Sequence, residues 1–385
     1  MSKMQQPKIG FFYDPDYPET ETVKEFDIAR GLPVRHKPKL ENLVKKLSPE
    51  NPSNPFNKII GQDMAKRTMR RAAVSAMMNP FHLCTKNFLV TGPSSVGKTT
   101  IVRTFAKVLR IPIIEISPRA VTSMQDVLRA ISQGIEAFGR NMMLLPLGKG
   151  NQYDIPPCII FVDEAHALRR NVQNELLKAV EAHDRSFTTE SGEHVSTANV
   201  CWCFATTEVG DLFGPLLNRF TELNLVPYTK AQVAEIVNVH YPEWSLDLCK
   251  IVAHYESRVP RRALAFAAEL AQEIILQPDE DFENLAQQIA EEMGIDQYGM
   301  NKRHLQILQL AAEKPISKDR LALNLHVSKE ELERLIVPPL LMQTDDNPAL
   351  LTVCQGGYTL TSHGQLELTK RKLGSIASLI KKGGE

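Results

Sequence analysis

Short, continuous apolar runs alternate with amphipathic segments through the middle of the chain. After the run KNFLVTG, for example, Ile101, Phe105 and Val108 recur at helical spacing. Continuous apolar strands that alternate with amphipathic helices predict a parallel sheet covered by helices on both faces. The predicted strands are KNFLVTG, IPIIEI, CIIFVD, NVCWCFATT and ELNLV.

The pattern changes after Pro227, where the apolar runs give way to helices as far as about Met293. Thr229 and Gln232 have the spacing of a capping box, which predicts the start of the first of these helices. Three further helical patterns then precede ALLTVCQGGYTLTSHG, which predicts two short strands about a Gly-Gly turn and, with the helices, a winged helix. The expected domains are an α/β core at 54–227, a small helical domain at 228–293, and a winged helix with a basic tail at 294–385.

The first 53 residues show little of the periodicity of either a helix or a strand. They are rich in Pro, charge and scattered aromatics, and they turn basic between Lys24 and Lys46. This composition predicts an extended segment, either flexible or partly docked on the core.

The composition is that of a soluble globular protein, with 43% hydrophobic and 23% charged residues. Lys plus Arg and Asp plus Glu number 45 each, so any contact with nucleic acid must come from local basic patches. The N-terminus lacks the apolar core of a signal peptide, and no apolar run is long enough to span a bilayer. We therefore expect an intracellular protein in a reducing compartment, with no membrane contact.

The six cysteines include no CxxC pair and no cluster with histidine. Cys201 and Cys203 alternate with Trp202 in a predicted strand, so both should lie on one face. Burial as small apolar residues is a better interpretation than a metal or redox pair.

A phosphate-binding loop is indicated at 92–100, where GPSSVGKTT matches G-x-x-x-x-G-K-[ST] between a strand and a helix. Glycines at the first and sixth positions let backbone N–H groups face the phosphates, and the lysine and following hydroxyl reach the β- and γ-phosphates and Mg²⁺. The alternative, a chance Gly/Ser-rich turn, does not require this order of elements. The predicted ATP- or GTP-binding residues are Gly92, Pro93, Ser94, Ser95, Val96, Gly97, Lys98, Thr99 and Thr100.

Two acids lie at the end of the predicted strand CIIFVD: Asp163 is its last residue and Glu164 follows it. In a parallel sheet, Asp163 would lie beside the phosphate loop, where with Thr99 it could hold Mg²⁺. Glu164 is the candidate base for polarising the attacking water. The alternative is that both acids cap the following helix.

The tetrapeptide DEAH at 163–166 is shared with a superfamily of helicases. Those enzymes need two tandem motor domains of one fold, whereas this chain has room for a single α/β unit of that kind. FATTEVGDLFGPLLNRF and ESRVPRRALAF instead resemble the sensor-1 and arginine-finger region and the sensor-2 helix of AAA+ ATPases.

More narrowly, the order of the motifs is similar to that of the RuvB family of Holliday-junction branch-migration ATPases. IIGQDMAKRTMRRA resembles that family's entry segment beside the adenine and includes Ile60. GIDQYGMNKRHLQIL and VPPLLMQ resemble its C-terminal winged helix. The resemblance runs from about residue 55 to 370 and implies an AAA+ P-loop core with a parallel sheet, a small helical lid and a winged-helix domain.

The resemblance also assigns roles. Thr207 would sense the γ-phosphate, Arg219 would be the finger that enters the neighbouring subunit's site, and Arg261 would contact phosphate from the lid. Arg258 and Arg262 leave the register of this last assignment open. Because the finger acts in trans, the resemblance implies a homo-oligomeric ring, usually a hexamer, with ATP and Mg²⁺ as cofactors.

Three features depart from the family pattern. The hairpin that docks the family's junction-recognition partner is shortened to RSFTTESGEHVST, and the extra stretch FGRNMMLLPLGKGNQYD is either a longer surface loop or an altered partner contact. The wing VCQGGYTLTSHG has no Lys or Arg, and KEELERLIV carries three glutamates, a poor surface for phosphates. This domain therefore binds either DNA or protein. Nearby basic residues are Lys302, Arg303, Lys370, Arg371 and Lys372.

A second resemblance lies at the N-terminus. Gln6, Ile9, Phe12 and Tyr13 fit the pattern of peptides by which replication and repair proteins bind sliding clamps. The alternative is that these aromatics dock on the protein's own core.

The sequence thus predicts an ATP-hydrolysing AAA+ ring motor acting on junction or duplex DNA in recombination, repair or replication. The competing hypotheses are a protein-remodelling ATPase and a clamp-loader-like ATPase whose winged helix binds a protein.

Overall fold

The fold is that of a computed structural model of the chain. The described residues are 25–27, 32–34, 40–78, 86–137, 143–144, 152–181, 185–189, 192–256, 259–296, 299–344 and 348–371. They form two compact units, the first ending at Leu225 and the second beginning at Val226. Pro93–Val96, in the predicted phosphate loop, group with the second unit.

The strands are, in chain order, β1 Glu25–Asp27, β2 Leu32–Val34, β3 Phe88–Thr91, β4 Ile113–Ile116, β5 Met143–Leu144, β6 Gln152–Asp154, β7 Cys158–Val162, β8 Ser186–Thr188, β9 His194–Ser196, β10 Val200–Thr206, β11 Thr221–Asn224, β12 Leu351–Cys354 and β13 Gly357–Leu360. The α-helices are α1 Leu40–Lys46, α2 Asp63–Met78, α3 Lys98–Leu109, α4 Met124–Ala137, α5 Arg170–Ala179, α6 Gly214–Leu217, α7 Lys230–His240, α8 Leu246–Tyr255, α9 Pro260–Leu276, α10 Phe282–Glu292, α11 Lys302–Glu313, α12 Lys318–Leu325, α13 Lys329–Glu331 and α14 Pro338–Leu341. A π-helical turn, Leu332–Ile336, follows α13, and residues 362–371 are also helical.

The first unit is built on a parallel sheet with the strand order β11-β3-β10-β7-β4. These are the five strands that the apolar runs predict, so that prediction is confirmed. Every residue of β3, β7 and β10 is buried, as expected for strands covered on both faces. The register brings the carboxyl ends of these three strands together, where open α/β sheets bind ligands.

Aromatic side chains fill the two layers between sheet and helices. Phe105 of α3 packs edge-on against Phe88, with ring centroids 5.6 Å apart. On β10, Trp202 and Phe204 also meet edge-on, at 6.4 Å. Cys201 and Cys203 are buried as predicted, with their Sγ atoms 3.8 Å apart.

A second, four-stranded sheet has the order β5-β6-β9-β8. Strands β8 and β9 form the predicted hairpin. The inserted stretch before β7 supplies β5 and β6, and β6 pairs with β9 in parallel. The insertion is therefore joined to the hairpin by backbone hydrogen bonds and is more than a longer surface loop.

The predicted extended segment 1–53 differs from the structure at its C-terminal end. α1 begins at Leu40, and Leu47 is buried. The side-chain amide of Asn54, itself buried, donates to the carbonyl of Leu47 at 2.9 Å, which fixes the chain after the helix. Residues 40–53 are thus part of the first unit, whereas the clamp-peptide residues 6–13 lie outside the described residues.

The second unit contains the helices that the sequence predicts. Thr229 and Gln232 form the reciprocal capping box of α7, and α7 to α10 are the helices of the predicted small helical domain. The hydroxyls of Ser317 and Ser328 cap α12 and α13. Together with α11 and the antiparallel pair β12–β13, these helices are the elements expected for the predicted winged helix, which stays a prediction.

The turn of this hairpin differs from the prediction. Gly357 already belongs to β13, and it has a φ of 113°. A Cβ at this position would lie 2.2 Å from the carbonyl oxygen of Ile316, so only glycine fits there.

Among the described residues, no helix combines the length and apolar character needed to cross a membrane.

Candidate active site

The phosphate loop begins at the end of β3 with a backbone that only glycine adopts comfortably. Gly92 has a φ of 136°, and a Cβ there would lie 2.4 Å from the carbonyl oxygen of Leu225. Ser95 and Gly97 also have positive φ values, 63° and 94°. Gly97 caps α3 without a side-chain hydrogen bond, so the N–H groups of the first turn are presented in the way that binds phosphate.

Lys98 lies in the first turn of α3. Its ammonium group donates to the carbonyl oxygen of Gly92 at 2.8 Å. Burial lowers the pKa of Lys98 to about 8, against the opposing effect of the carboxylates Asp163 and Glu164. A lysine held in this way is poised to gain a phosphate oxygen as a stronger partner.

Asp163 and Glu164 follow β7, as predicted, and both are exposed. The hydroxyl of Thr99 donates to Asp163 Oδ2 at 3.3 Å, so the two predicted Mg²⁺ ligands are adjacent. A hydroxyl and one carboxylate suit Mg²⁺ because that ion keeps several waters and takes phosphate oxygens as further ligands. The described residues contain no cluster of three or more His, Cys, Asp or Glu that could hold a metal by itself.

Glu164 has a left-handed backbone, with a φ of 53°. A non-glycine residue in this conformation carries backbone strain, which is concentrated at functional sites. Its backbone N–H bonds to Asp163 Oδ1 at 3.0 Å, while its side chain remains at the surface. This placement suits a base that acts on a water at the end of the sheet.

The end of β10 shows a link that the sequence interpretation missed. Thr206 is buried, and its hydroxyl lies 2.9 Å from Nδ1 of His166, the last residue of DEAH. The same hydroxyl accepts the backbone N–H of Glu208 at 3.0 Å. Thr207, the predicted γ-phosphate sensor, is exposed just beyond the strand. The alternation of β10 could have shown that Thr206 and Thr207 point to different environments.

His166 itself is almost completely enclosed, with 7% of its side chain exposed. Among the residues that the structure describes, its Nε2 has no hydrogen-bond partner, and a carboxylate oxygen of Glu208 is 4.0 Å away. The imidazole therefore joins the segment that carries Glu164 to the segment that carries Thr207.

Arg219 follows α6, with 28% of its side chain exposed. Its guanidinium pairs with both carboxylate oxygens of Glu181, at 3.0 Å for the contact between Nη2 and Oε1. The hydrogen bond from Arg219 lowers the pKa of the Glu181 carboxyl. The predicted finger is thus held in a defined geometry by a residue that the sequence interpretation did not single out.

In the second unit, the structure distinguishes the arginines of the predicted sensor-2 region. Arg262 pairs with the buried Glu256, with 3.2 Å between Nε and Oε1. Burial raises the pKa of Glu256 to about 6, and Arg262 acts in the opposite direction. Arg261 is exposed in the first turn of α9, and Arg258 lies outside the described residues. The phosphate contact of Arg261 therefore stays a prediction.

The predicted adenine segment lies before α2. Ile60 is half-buried, and the next two residues, Gly61 and Gln62, both have left-handed backbones. Lys66 of α2 donates to the carbonyl oxygen of Ile59 at 3.0 Å and so fixes the turn. Within the second unit, Tyr228 donates its hydroxyl to the carbonyl oxygen of Val96 at 2.9 Å.

Comparison with known proteins agrees with this geometry. Residues 88–228 match the model of the AAA family, the ATPase family associated with various cellular activities. The chain is 22% identical to the Holliday junction branch migration complex subunit RuvB of Mycoplasma genitalium over 327 residues, 82% of this chain and 96% of that protein. It is 25% identical to the RuvB subunit of Campylobacter jejuni over 308 residues, 75% of this chain and 84% of that protein.

A solved structure shows the same fold. The Thermotoga maritima RuvB Holliday junction branch migration motor superposes with a TM-score of 0.64 at 21% identity, covering 82% of this chain and 96% of that one. The similarity thus extends over nearly the whole length of these relatives, beyond the ATPase domain alone. Residues 88–228 thus carry an AAA ATPase domain, and the chain is similar to RuvB subunits in sequence and in fold beyond that domain.

Proposed function

We propose that this protein is an ATP-driven ring motor that acts on branched or duplex DNA, as in branch migration during recombination, repair or replication. The observation that carries the proposal is the similarity to RuvB subunits over nearly their whole length, together with a phosphate loop next to Asp163 and Glu164. The site of action would be intracellular and DNA-associated.

Each candidate residue has a specific part in hydrolysis. The first turn of α3 and Lys98 bind the phosphates, Thr99 and Asp163 hold the ion, and Glu164 orients and activates the attacking water. Mg²⁺, when bound, neutralises charge on the phosphate oxygens. Arg219 supplies positive charge to the neighbouring subunit's site, which requires a homo-oligomeric ring, with a hexamer as the expected size.

The test is the steady-state ATPase rate of the full chain with four-way-junction, duplex and single-stranded DNA at low salt. Junction or duplex DNA should stimulate hydrolysis, and both Glu164→Gln and Arg219→Ala should abolish the stimulated rate. Intact basal activity that no DNA stimulates would contradict the DNA-motor proposal.

A second candidate function is supported by the charges of the winged helix. Two of the three glutamates of its acidic third helix form ion pairs within the domain: Lys318 pairs with Glu333 and Arg303 pairs with Glu331. Arg371 lies mostly buried against Asp296, at 2.6 Å. Basic side chains that are already paired with carboxylates bind phosphates weakly. This favours a winged helix that binds a protein.

Salt dependence distinguishes the two candidates. A domain that contacts several phosphates loses affinity steeply as salt rises, with a slope of about 0.9 per phosphate contact on a double-logarithmic plot. DNA binding by the full chain that is lost in Lys302→Ala would place the DNA on the winged helix. Binding unchanged in this variant would assign the domain to a protein partner, either a junction-recognition protein or the remodelled substrate.

The clamp-binding peptide remains a separate proposal. Binding of the full chain to a sliding clamp, lost in Phe12→Ala/Tyr13→Ala, would support it, and equal binding by both proteins would contradict it.

A further inference from the structure

We infer that Glu181 is a positioning residue for the arginine finger: it fixes the Arg219 guanidinium so that its outer edge faces the phosphates of the neighbouring subunit's site. The inference rests on the proposed trans-acting role of Arg219. It goes beyond that role in two respects. It names Glu181 as the residue that orients the finger, and it identifies the contacts that connect the finger to the phosphate loop of its own subunit.

The geometry of the ion pair leaves the finger competent to bind phosphate. A guanidinium has five N–H donors. Nε and Nη2 of Arg219 donate to the two carboxylate oxygens of Glu181, and Nη1 donates to the carbonyl oxygen of Pro215. The bonds to Glu181 use the edge of the guanidinium formed by Nε and Nη2. The outer edge, formed by Nη1 and Nη2, matches a phosphate in the two-point geometry typical of arginine.

The main chain of the finger is anchored separately. Phe220 packs on Phe204 of the central strand β10, with ring centroids 4.7 Å apart. The backbone N–H of Thr221 donates to the carbonyl oxygen of Asn87 at 2.8 Å. With the backbone fixed, the remaining freedom of the finger lies in its side-chain torsions, which Glu181 restricts.

Asn87 connects this anchor to the phosphate loop. It is 3% exposed and directly precedes β3, the strand that ends at Gly92. Its amide nitrogen donates to the carbonyl oxygen of Val180, the residue before Glu181, at 2.9 Å. Its amide oxygen accepts the backbone N–H of Trp202 at 3.3 Å. One buried side chain thus joins the phosphate-loop strand, β10 and the residue next to the finger's partner.

Helix α5 ties the finger segment to the hydrolysis site at its other end. It begins four residues after DEAH, and the guanidinium carbon of Arg170 lies 3.8 Å from the centroid of the Phe213 ring. The backbone N–H of Phe213 donates to the buried Gln173 at 2.8 Å. The first turns of α5 therefore contact Phe213, six residues before the finger. Glu181, two residues after the end of α5, contacts Arg219 itself. A shift of DEAH on hydrolysis would reach the finger along this helix.

The experiment compares Glu181→Ala, Glu181→Gln and the matched control Glu175→Ala, which changes an exposed glutamate of α5, the helix that ends two residues before Glu181. We expect Glu181→Ala to lower kcat about tenfold to a hundredfold, the scale of a misplaced reacting group, with KM for ATP and Tm nearly unchanged. Glu181→Gln keeps a hydrogen-bonding side chain and should retain an intermediate rate. Glu175→Ala should behave as the unmodified protein.

Three results would overturn the inference. An unchanged kcat in Glu181→Ala would show that the finger needs no positioning. A higher kcat would show that Glu181 withholds the finger. A kcat lowered to the same extent by Glu175→Ala would likewise remove the specific role.

Arg219→Ala separates this inference from the proposed function. If Arg219→Ala leaves hydrolysis unchanged, the finger assignment itself is wrong. If Arg219→Ala abolishes hydrolysis and Glu181→Ala does not affect it, only the positioning role is wrong. Both roles require that Glu181→Ala has no further effect in the Arg219→Ala background, because the two changes remove one function.

Discussion

At the scale of single residues, the site is defined by a few charged and hydroxyl groups whose environments differ sharply. Lys98 is half-buried beside two exposed carboxylates. Thr206 is enclosed and hydrogen-bonded, whereas the next residue, Thr207, is exposed. The adjacent residues Thr206 and Thr207 thus lie in different environments. We expect a substitution of Thr206 to change the free energy of unfolding and a substitution of Thr207 to change kcat.

The protonation of Lys98 should make nucleotide affinity depend on pH. Bound phosphates favour the charged lysine, whose pKa without nucleotide is about 8. Below that pH the lysine is already charged. Above it binding must take up a proton, so the affinity for ATP should fall by up to about tenfold per pH unit. Titrations with a fluorescent ATP analogue between pH 7 and 9.5 measure this.

Lys98→Arg is the control for this prediction, because arginine stays charged throughout the range. Its affinity should be lower but flat with pH. The same slope in both proteins would show that another group titrates.

The two threonines should separate stability from hydrolysis. Thr206→Val leaves the N–H of Glu208 and the imidazole of His166 without their partner and should cost about 1–3 kcal/mol in the free energy of unfolding. Thr207→Val should leave stability within about 0.5 kcal/mol but lower kcat at least about tenfold. Urea unfolding and ATPase assays measure the two effects. Equal destabilisation by both substitutions would contradict the assignment.

At the scale of elements, two kinds of contact hold neighbouring elements together: a close approach between backbones and a buried charged side chain. The strands β3 and β11 end together at the phosphate loop, where the N–H of Leu225 bonds to the carbonyl oxygen of Thr91 at 2.8 Å. In the second unit, Glu256 lines a small pocket with Gly299 and His304. The contact between β3 and β11 and the burial of Glu256 each lead to a prediction that stability measurements can test.

Gly92→Ala should disrupt the contact between β3 and β11. The new Cβ would lie 2.4 Å from the carbonyl oxygen of Leu225, at a φ that side chains rarely adopt. We expect a loss of at least about 2 kcal/mol in unfolding free energy, together with loss of ATP binding. Gly210→Ala, where a Cβ meets nothing within 4 Å, is the control and should be nearly neutral. Urea unfolding and nucleotide titration measure both effects.

Glu256 should make stability depend on pH in the direction opposite to a normal carboxylate. Its folded pKa of about 6 lies above the ordinary value of 4.5. Its contribution is therefore fully present below about pH 4.5 and is lost as pH rises through 6, by up to about 2 kcal/mol. Glu256→Gln mimics the protonated form and should remove this dependence.

The measurement is urea unfolding of the full chain and of Glu256→Gln at pH 5 and 7.5. Because other groups titrate equally in both proteins, the difference between the two isolates Glu256. A difference that does not change with pH would show that this carboxyl is not perturbed.

At the scale of the whole molecule, the proposed ring places each complete site between two copies of the chain. The subunit with Glu164→Gln has an intact finger but no base, and the subunit with Arg219→Ala has the base but no finger. In an equal mixture, about a quarter of the interfaces would combine both intact groups, if the finger acts across a heterologous interface. Mixing should thus restore about a quarter of the wild-type ATPase rate, whereas a finger acting within its own subunit would give no recovery.

The sequence by itself determined the features that depend on local pattern. Apolar runs predict the five strands of the parallel sheet because fully buried strands have no polar face. The loop from Gly92 to Thr100 and the acids Asp163 and Glu164 at the end of CIIFVD are recognisable since their chemistry requires particular residues at fixed spacing. The cap at Thr229 is likewise local, because its hydrogen bonds span only three residues.

Only the tertiary structure decided which distant residues meet. The contact between Glu181 and Arg219 and the hydrogen bonds of Asn87 join residues far apart in the chain, and no periodicity marks them. The pairing of β6 with β9 in the second sheet was also beyond the sequence, because backbone hydrogen bonds carry no side-chain signature. The same holds for the pKa of Lys98 and of Glu256, which packing determines through desolvation.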